Sequence, residues 1–419
     1  MQSSRSAADR ARPRSVRGRV AVGVGLPVLF GLATAAVIAA CDSDKTTAPP
    51  GPKPLDPALV AAGKDVFRFN TFGDESYWTD TLRMHEVVQK AVSPATALSV
   101  GLKVDVDTLP AAVRTALAAG QVDLSSPATT VTLLKLGAVV GLKGTVATVN
   151  GKDTLTRLGI TCALCHSTVD NSFAPGIGHR LDGAPNHDLN VGAIVALSPA
   201  VTPALRAILT SWGPGKYDAR TNIDGKNGPA LIPPVYGLNG VAKEIYTGDD
   251  TISYWNAYVA VTQMHGQGSF HDARLGINVT KNPDLVTPLL PALLQYQLSL
   301  AAPKPAAGTF DAAAAARGKA LFDGTARCAS CHTGTLYTDI NQGILHTPQE
   351  VGQDAAFAQR SVTGKYRTTP LRGLLQHPPY FHDGGAATLL AVVQHYNSLM
   401  SLNLTAAQMS DLVEYLKTL

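Results

Sequence analysis

Residues 310–419 contain two segments with apolar residues at helical spacing, one near the start of this region and one at its end. In the final segment these residues recur on one face of a helix: Met409, Leu412, Val413 and Leu416. Thr405 precedes them and is a favourable N-cap, because its hydroxyl oxygen can accept a hydrogen bond from a backbone N–H. An alanine-rich stretch, residues 312–322, predicts an earlier helix that ends before Gly324. We therefore predict a helical domain over residues 310–419.

A weaker copy of this pattern precedes that domain. The sequence GKDVF at residues 63–67 resembles GKALF at residues 318–322. Residues 288–300 are an apolar stretch that predicts a closing helix, and residues 303–309 contain two prolines and predict a linker. The sequence therefore predicts a separate N-terminal domain over residues 57–302.

The N-terminal domain is the longer of the two and is expected to contain insertions. Residues 76–90 predict a helix within one insertion. Residues 146–158 predict a β-hairpin, because Asn150-Gly151 is a dipeptide preferred in two-residue hairpin turns. The expected fold class is mainly α, with two domains, the first of them enlarged by insertions.

The first 40 residues have the layout of a secretory signal. Six arginines and one aspartate precede an uncharged apolar run at residues 20–40. Its end, Ile38-Ala39-Ala40-Cys41, resembles a bacterial lipoprotein lipobox, in which the cysteine is lipidated. We predict a signal peptide over residues 1–40, lipidation of Cys41 and a flexible, proline-rich tether over residues 41–56. The alternative is an uncleaved N-terminal anchor, or a cleaved signal in which Cys41 is incidental.

The net charge of the chain comes from this leader. The whole sequence has a formal net charge of +4, whereas outside the first 40 residues 29 Lys and Arg face 30 Asp and Glu. Binding to nucleic acid relies on concentrated positive charge that releases counterions from phosphates. The charge of the main part of the chain therefore argues against a nucleic-acid partner.

The four cysteines that follow the leader form two identical patterns. Cys162-Ala163-Leu164-Cys165-His166 and Cys328-Ala329-Ser330-Cys331-His332 are both C-x-x-C-H, the attachment signature of c-type haem. The two thiols bond to the two vinyl groups of one porphyrin, and the adjacent histidine supplies the proximal nitrogen to the iron. We therefore predict two covalently bound haem c groups with His166 and His332 as iron ligands.

Other uses of paired cysteines remain open on the sequence alone. Disulfides, a thioredoxin-type redox pair and a Cys/His zinc site each use similar spacings. None of these requires a histidine directly after the second cysteine in both patterns. The repeated histidine therefore favours haem.

The C-terminal domain resembles the bacterial di-haem cytochrome c peroxidase family, which includes MauG. The matching segments are residues 318–322, the motif at 328–332, Thr369-Pro370-Leu371-Arg372, Pro379 to Gly384, and Thr388-Leu389. The resemblance implies two cytochrome c-like haem domains face to face, electron exchange between them and, in active members, reduction of hydrogen peroxide. Residues 57–302 match the family only in the order of elements and in the haem motif.

The resemblance also suggests a sixth ligand for each iron. Tyr396 falls in the slot where peroxidases of the family have a methionine and MauG-type members a tyrosine, with His395 and Met400 as alternatives. An internal comparison of residues 246–264 with residues 380–396 puts Met264 in the equivalent slot of the first domain. The alternative for Met264 is a side chain in the core, and the alternative for Tyr396 is a tyrosine that caps a packed helix.

Further residues take expectations from the family. Arg372 of the Thr-Pro-Leu-Arg segment is expected to pair with a haem propionate, and Arg180 is a second candidate; His382 is expected near a propionate or a distal face. The family's distal Glu-Met-Gly segment and its inter-haem tryptophan are not found, and Trp255 and Trp212 are the nearby aromatic substitutes. Six other histidines are expected to be exposed: His179, His187, His265, His271, His346 and His377.

Three functions follow from these expectations. The first is an exported, membrane-tethered di-haem cytochrome that takes electrons from a donor such as a small cytochrome and reduces hydrogen peroxide. The second is an electron carrier with both irons six-coordinate, and the third is a MauG-like oxidase of a partner protein. The expected location is the periplasmic side of the inner or outer membrane, and the sequence leaves the catalytic residues undetermined.

Overall fold

A computed structural model describes residues 51–419, which lie in one compact unit. The predicted signal peptide, Cys41 and residues 42–50 of the predicted tether lie outside the described residues. Within residues 51–419, none of the helices combines the length and the apolar character needed to cross a bilayer.

The described residues are mainly helical, as predicted. The α-helices are Pro57–Phe69, Met84–Ala91, Pro94–Ser99, Ala111–Ala118, Pro127–Lys135, Ala163–His166, Val191–Ala196, Pro203–Thr210, Thr221–Asp224, Ile252–Tyr258, Leu290–Ser299, Ala312–Asp323, Pro348–Val351, Ala355–Gln359, Leu389–Leu399 and Ala406–Leu416. Two segments are π-helical, Ser76–Thr81 and Val259–Gln263. Short 3-10 turns occupy Val106–Thr108, Thr287–Leu289, Cys328–Ser330, Ile340–Gln342 and Leu374–Gln376.

The strands of the described residues are short and form separate two-stranded pairs. Leu142–Val149 pairs with Lys152–Ile160, Ser167–Val169 with Arg180–Asp182, Lys216–Tyr217 with Ala230–Leu231, and Phe270–Asp272 with Ile277–Val279, all antiparallel. Val104–Asp105 and Ile177–Gly178 pair in parallel. These pairs fix loops around the helices and do not form a continuous sheet.

The Ala312–Asp323 and Ala406–Leu416 helices pack closely against each other. A Cβ built on Gly318 would overlap the carbonyl oxygen of Asp411, so only glycine allows this approach. Next to this contact, the rings of Phe322 and Tyr415 meet with centroids 5.2 Å apart. Both helices have a side-chain N-cap: the Asp311 carboxylate accepts the Ala314 N–H at 2.8 Å, and Thr405, the N-cap that the sequence predicts, forms a capping box.

The Pro57–Phe69 and Leu290–Ser299 helices repeat this arrangement in the first part of the chain. A Cβ on Gly63 would overlap the carbonyl oxygen of Ala292. The rings of Phe67 and Tyr296 lie 5.4 Å apart, in the same relation to the glycine as in the C-terminal pair. The similarity of residues 63–67 to residues 318–322 therefore extends to the packing of the helices.

The predicted hairpin is present and extends beyond residues 146–158 at both ends. Asn150 and Gly151 have φ of 51° and 75°, as the turn requires. Leu155 and Leu158 of the second strand are buried against the Met84–Ala91 helix, where the Gln89 side-chain oxygen accepts the Leu155 N–H at 2.7 Å. The hairpin therefore belongs to the core of the first part of the chain.

The predicted single helix over residues 76–90 is wrong. The chain forms a π-helical segment and then a separate α-helix, with Arg83 between them in the left-handed region at φ 55°. Trp78 and Met84 are both buried in one apolar cluster. In a continuous helix two residues six apart would point in different directions, and the break brings them to the same side.

The N-terminal and C-terminal parts of the described chain pack together through polar contacts. The buried Arg360 guanidinium binds Asp218 at 2.9 Å. The Tyr236 hydroxyl donates to the Gly373 carbonyl at 3.2 Å, and the Asn341 side-chain oxygen accepts the Ala242 N–H at 2.8 Å. These contacts hold the segment around residues 230–249 between the two parts.

Candidate functional site

Each C-x-x-C-H motif opens onto its own cavity. The first cavity, of about 440 Å³, is lined by Cys162, Cys165 and His166. The second, of about 620 Å³, is lined by Cys328, Cys331 and His332. None of the four motif cysteines forms a disulfide. Each cavity therefore has the two thiols and the imidazole of one motif on its wall.

Both motif histidines are held with one ring nitrogen available. The His166 Nδ1 lies 3.1 Å from the carbonyl oxygen of Pro233, and the His332 Nδ1 lies 2.9 Å from that of Tyr337. A proton on Nδ1 satisfies the carbonyl and leaves Nε2 as the lone-pair donor, the usual arrangement of a metal-binding histidine. Burial lowers the pKa of His166 to about 4, so its imidazole is neutral at physiological pH.

The two thiols of the first motif face different walls. Cys162 packs with the apolar cluster that includes Phe67 and Met264, whereas Cys165 packs with the cluster that includes Trp78. Burial raises the pKa of both thiols to about 12, so they are uncharged in this apolar setting. Two thiols on either side of an apolar slot suit attachment to two separate vinyl groups.

The cavities fit haem on chemical grounds. Their walls are mostly aliphatic and aromatic side chains, which suit a flat macrocycle, and their volumes lie in the range of cofactor pockets. Each wall also carries one buried arginine with unpartnered N–H groups, Arg220 in the first cavity and Arg367 in the second. A haem also carries carboxylates, and these donors can bind them.

Met264 lines the first cavity, as the internal comparison predicts for an axial ligand. It is buried and directly follows the π-helical segment Val259–Gln263. His265 lines the same cavity, with its ring stacked on Tyr77 at a centroid distance of 3.7 Å. The first cavity therefore offers two adjacent side chains with lone pairs.

Tyr396 lines the second cavity together with Met400. Burial raises the pKa of Tyr396 to about 12. The third candidate, His395, is turned away from the cavity, and its Nε2 lies 2.9 Å from the carbonyl oxygen of Val351. The structure therefore leaves Tyr396 and Met400 within the cavity wall.

Arg372 and His382 both line the second cavity. The Arg372 Nη2 donates to the Thr335 carbonyl at 2.9 Å, and Nη1 to the Gly237 carbonyl at 3.3 Å. His382 is buried, with Nδ1 3.1 Å from the side-chain oxygen of Gln353. Both side chains therefore have protein partners already.

Several of the remaining expectations need correction. Arg180 lines neither cavity and pairs instead with Asp105 in a buried salt bridge of 2.9 Å. Four histidines expected to be exposed line the cavities: His265 in the first, and His187, His346 and His377 in the second. His179 and His271 are exposed as expected.

A common wall separates the two cavities. The residues that line both are Leu231, Pro233, Pro234, Leu238 and Tyr246. Tyr246 is the aromatic member of this set, whereas Trp255 and Trp212 line only the first cavity. An aromatic ring therefore stands between the two sites although the family's tryptophan is missing.

Sequence reasoning missed several charged residues of the cavity walls, three of which bear on the chemistry of the site. Arg220 and Glu244 line the first cavity, and Arg367 lines the second. Burial raises the pKa of Glu244 to about 7, so its carboxyl group can gain or lose a proton near neutrality. Arg367 lies two residues before the matching segment that starts at Thr369, which was the one available signal.

The C-terminal part of the chain matches a known family. Residues 315–419 match the family described as cytochrome c. This segment is a cytochrome c domain. Its cofactor is covalently bound haem c.

Curated relatives of the chain include a methylamine utilization protein and a cytochrome-c peroxidase. Methylamine utilization protein MauG of Methylorubrum extorquens is 37% identical over a 121-residue alignment that covers 25% of this chain and 34% of that protein. Cytochrome-c peroxidase IdrP1 of Denitromonas iodatirespirans is 28% identical over a 151-residue alignment that covers 26% of this chain and 40% of that protein. The matches thus span well under half of these relatives. They confirm the resemblance to the cytochrome c peroxidase and MauG family for the matched segment.

Among solved structures, a MauG-like protein associated with microbial copper homeostasis matches 46% of this chain and 74% of its own. The TM-score is 0.33 and the sequence identity 18%.

Proposed function

We propose that the protein is an exported di-haem c-type cytochrome that transfers electrons between its two haems and reduces hydrogen peroxide. Cys162 and Cys165 would attach the first haem, with His166 as the iron ligand. Cys328, Cys331 and His332 would hold the second haem in the same way. The observation that carries this proposal is the pair of cavities, each starting at a C-x-x-C-H motif and sharing a wall.

The bound haems supply the redox chemistry, and the chain positions them. The Pro233 and Tyr337 carbonyls fix the rings of the two motif histidines. The shared wall keeps the sites adjacent, and the Tyr246 ring offers an aromatic side chain on the route between them. Short separation across packed protein supports electron transfer from one site to the other.

Reduction of one hydrogen peroxide to two water molecules consumes two electrons and two protons. The electrons would come from a donor protein such as a small cytochrome. Glu244 is a candidate proton carrier because its carboxyl group lines the first cavity and its pKa lies near neutrality. The relatives named cytochrome-c peroxidase support this reaction class.

The attachment sites can be tested by counting haems. Replacing Cys162 and Cys165 by alanine should leave one covalent haem, and replacing Cys328 and Cys331 as well should leave none. Intact-protein mass spectrometry and the pyridine haemochrome spectrum measure this. A protein with two disulfides and no haem after expression with the maturation machinery would contradict the proposal.

Peroxide reduction is tested by mixing the half-reduced protein with hydrogen peroxide and following its consumption together with haem absorbance. Turnover by the unaltered protein with a reduced cytochrome supports the enzyme. Unaltered absorbance in the presence of peroxide contradicts it.

A second candidate is an electron carrier with both irons six-coordinate. It is favoured by the positions of Met264 in the first cavity and Tyr396 in the second, because each side chain can supply a sixth ligand. A tyrosine in this position also favours a MauG-like oxidase of a partner protein. Paramagnetic resonance and visible spectra distinguish these cases, since an open iron is high-spin and a carrier has two low-spin irons.

The proposal includes anchoring through lipid on Cys41, on the periplasmic side of the inner or outer membrane. It rests on the lipobox-like Ile38-Ala39-Ala40-Cys41 sequence that ends the apolar leader. Mass spectrometry of the membrane-extracted protein should find Cys41 acylated at the mature N-terminus. Cys41→Ala should abolish acylation without changing the haem content, whereas an intact leader on the native protein would overturn this part.

A further inference from the structure

Two buried guanidinium groups have N–H donors without partners at the cavity walls. Arg220 lines the first cavity, and its Nη1 has no hydrogen-bond partner. Arg367 lines the second, and both its Nε and its Nη1 lack partners. Burying a charged donor without an acceptor is unfavourable by several kcal/mol in general, so such donors indicate an anion that completes the site.

The two arginines differ in which protein groups already bind their N–H groups. The Arg220 Nη2 binds Asp249 at 2.9 Å, and its guanidinium lies over the rings of Trp255 and Phe357. Arg367 has only its Nη2 bonded, to the carbonyl oxygen of Glu244 at 3.0 Å. Burial lowers the pKa of Arg367 to about 10, as expected for a cation with no carboxylate bonded to it.

We propose that Arg220 binds the carboxylates of the first haem and Arg367 those of the second. This inference rests on the proposed attachment of haem at both cysteine motifs. The thioether bonds fix the vinyl side of each macrocycle, and the carboxylates are the anionic groups that it brings into an otherwise apolar cavity. A guanidinium can donate two parallel hydrogen bonds to one carboxylate, so the free N–H groups of both arginines are suited to bind the haem carboxylates.

One short loop positions both arginines. Within the loop of residues 244–249, the Thr247 hydroxyl and the Asp249 carboxylate accept hydrogen bonds from the Arg220 side chain. The Glu244 carbonyl accepts from the Arg367 side chain, and the Tyr246 carbonyl accepts the Arg367 backbone N–H at 2.9 Å. The carboxylate-binding groups of the two haems are therefore held by the same loop, which also carries the shared-wall residue Tyr246.

Two other arginines show that neither burial nor a place on a cavity wall is by itself enough for this assignment. Arg180 is also buried with an unpartnered Nη1, but it lines neither cavity and pairs with Asp105. Arg372 lines the second cavity, but both of its terminal nitrogens donate to carbonyl groups. Only the combination of a cavity wall with free donors selects Arg220 and Arg367.

The test is a spectroelectrochemical titration of the full-length holoprotein. A nearby positive charge stabilises the reduced, less positive haem. Arg220→Gln should therefore lower the midpoint potential of the first haem, and Arg367→Gln that of the second. Arg180→Gln should leave both potentials unchanged. Variants that lack one pair of attachment cysteines assign each potential to its haem.

The conservative replacements separate carboxylate binding from a structural role. Arg220→Lys and Arg367→Lys keep the charge but lose the fork, so each should lower the same potential by less than the glutamine variant does. If the glutamine variants fail to retain haem, the lysine variants decide the question. Unchanged potentials in the lysine and glutamine variants, or an equal shift in Arg180→Gln, would overturn the assignment. A wild-type protein without two haems would instead refute the proposed function.

Discussion

Replacing Gly318 by alanine should separate the two helices that close the C-terminal domain. The added Cβ would lie 2.6 Å from the Asp411 carbonyl carbon and 2.9 Å from the Tyr415 Cβ. Ordinary contacts between carbon atoms are roughly 3.5–4.0 Å, so the helices must move apart by about 1 Å. That movement would loosen the Phe322–Tyr415 ring contact beside the second cavity.

The magnitude follows from two opposing effects. Overpacking of a tightly packed contact is unfavourable by roughly 1–3 kcal/mol or more, whereas alanine in place of glycine favours a helix by about 1 kcal/mol. We expect clash to prevail, with a net loss of about 2 kcal/mol in the free energy of unfolding. Urea unfolding followed by haem absorbance measures this, and the haem content of the purified protein should fall as well.

The matched variants are Gly63→Ala and Ala316→Gly. Gly63 meets the Ala292 carbonyl as Gly318 meets that of Asp411, so Gly63→Ala should destabilise the first part of the chain in the same way. Ala316 is exposed on the same helix as Gly318. Ala316→Gly therefore measures the difference in helix propensity between alanine and glycine at a position where no clash contributes. If Gly318→Ala were as stable as the unaltered protein and kept both haems, the helix-contact reasoning would be refuted.

Three further predictions concern the cavity walls. Met264→Ala should open the first iron, seen as a high-spin signal and greater reactivity with peroxide; unchanged haem spectra would exclude Met264 as ligand. Tyr396→Phe should raise the potential of the second haem, because loss of a phenolate ligand removes a preference for ferric iron; an unaltered potential would contradict ligation. The pKa of Glu244 is raised from 4.5 to about 7 in the folded protein, so stability should fall by up to about 3 kcal/mol as pH rises from about 4.5 through 7. The unfolding midpoint of Glu244→Gln should fall less across this pH range than that of the unaltered protein. If the midpoints of both proteins fell equally with pH, Glu244 would not be the cause.

Features with local signals were predictable from the sequence. The Thr405 capping box, the turn at Asn150-Gly151 and the two C-x-x-C-H motifs are each specified within a few residues. The helix break at Arg83 was not, because apolar spacing continues through it and tertiary packing of Trp78 decides the geometry. Local pattern cannot reveal which buried residues a fold brings together.

The cavity-wall charges illustrate the same limit. Arg220 and Arg367 lie far apart in the sequence, and neither has a pattern that separates it from a surface arginine. The sequence points instead to Arg372 and, as a second candidate, to Arg180, but Arg372 donates to two carbonyl groups and Arg180 pairs with Asp105. What distinguishes Arg220 and Arg367 is the combination of a place on a cavity wall with N–H groups that have no acceptor, which is a property of the folded surroundings.

The position of Phe357 has a consequence for the order in which the protein matures. This residue belongs to the C-terminal part of the chain, yet it lines the first cavity and lies under the Arg220 guanidinium. A chain emerging from its N-terminus therefore presents Cys162 and Cys165 while one wall of their cavity has still to be synthesised. The first cavity therefore gains its complete wall only after the C-terminal part of the chain has folded against the N-terminal part.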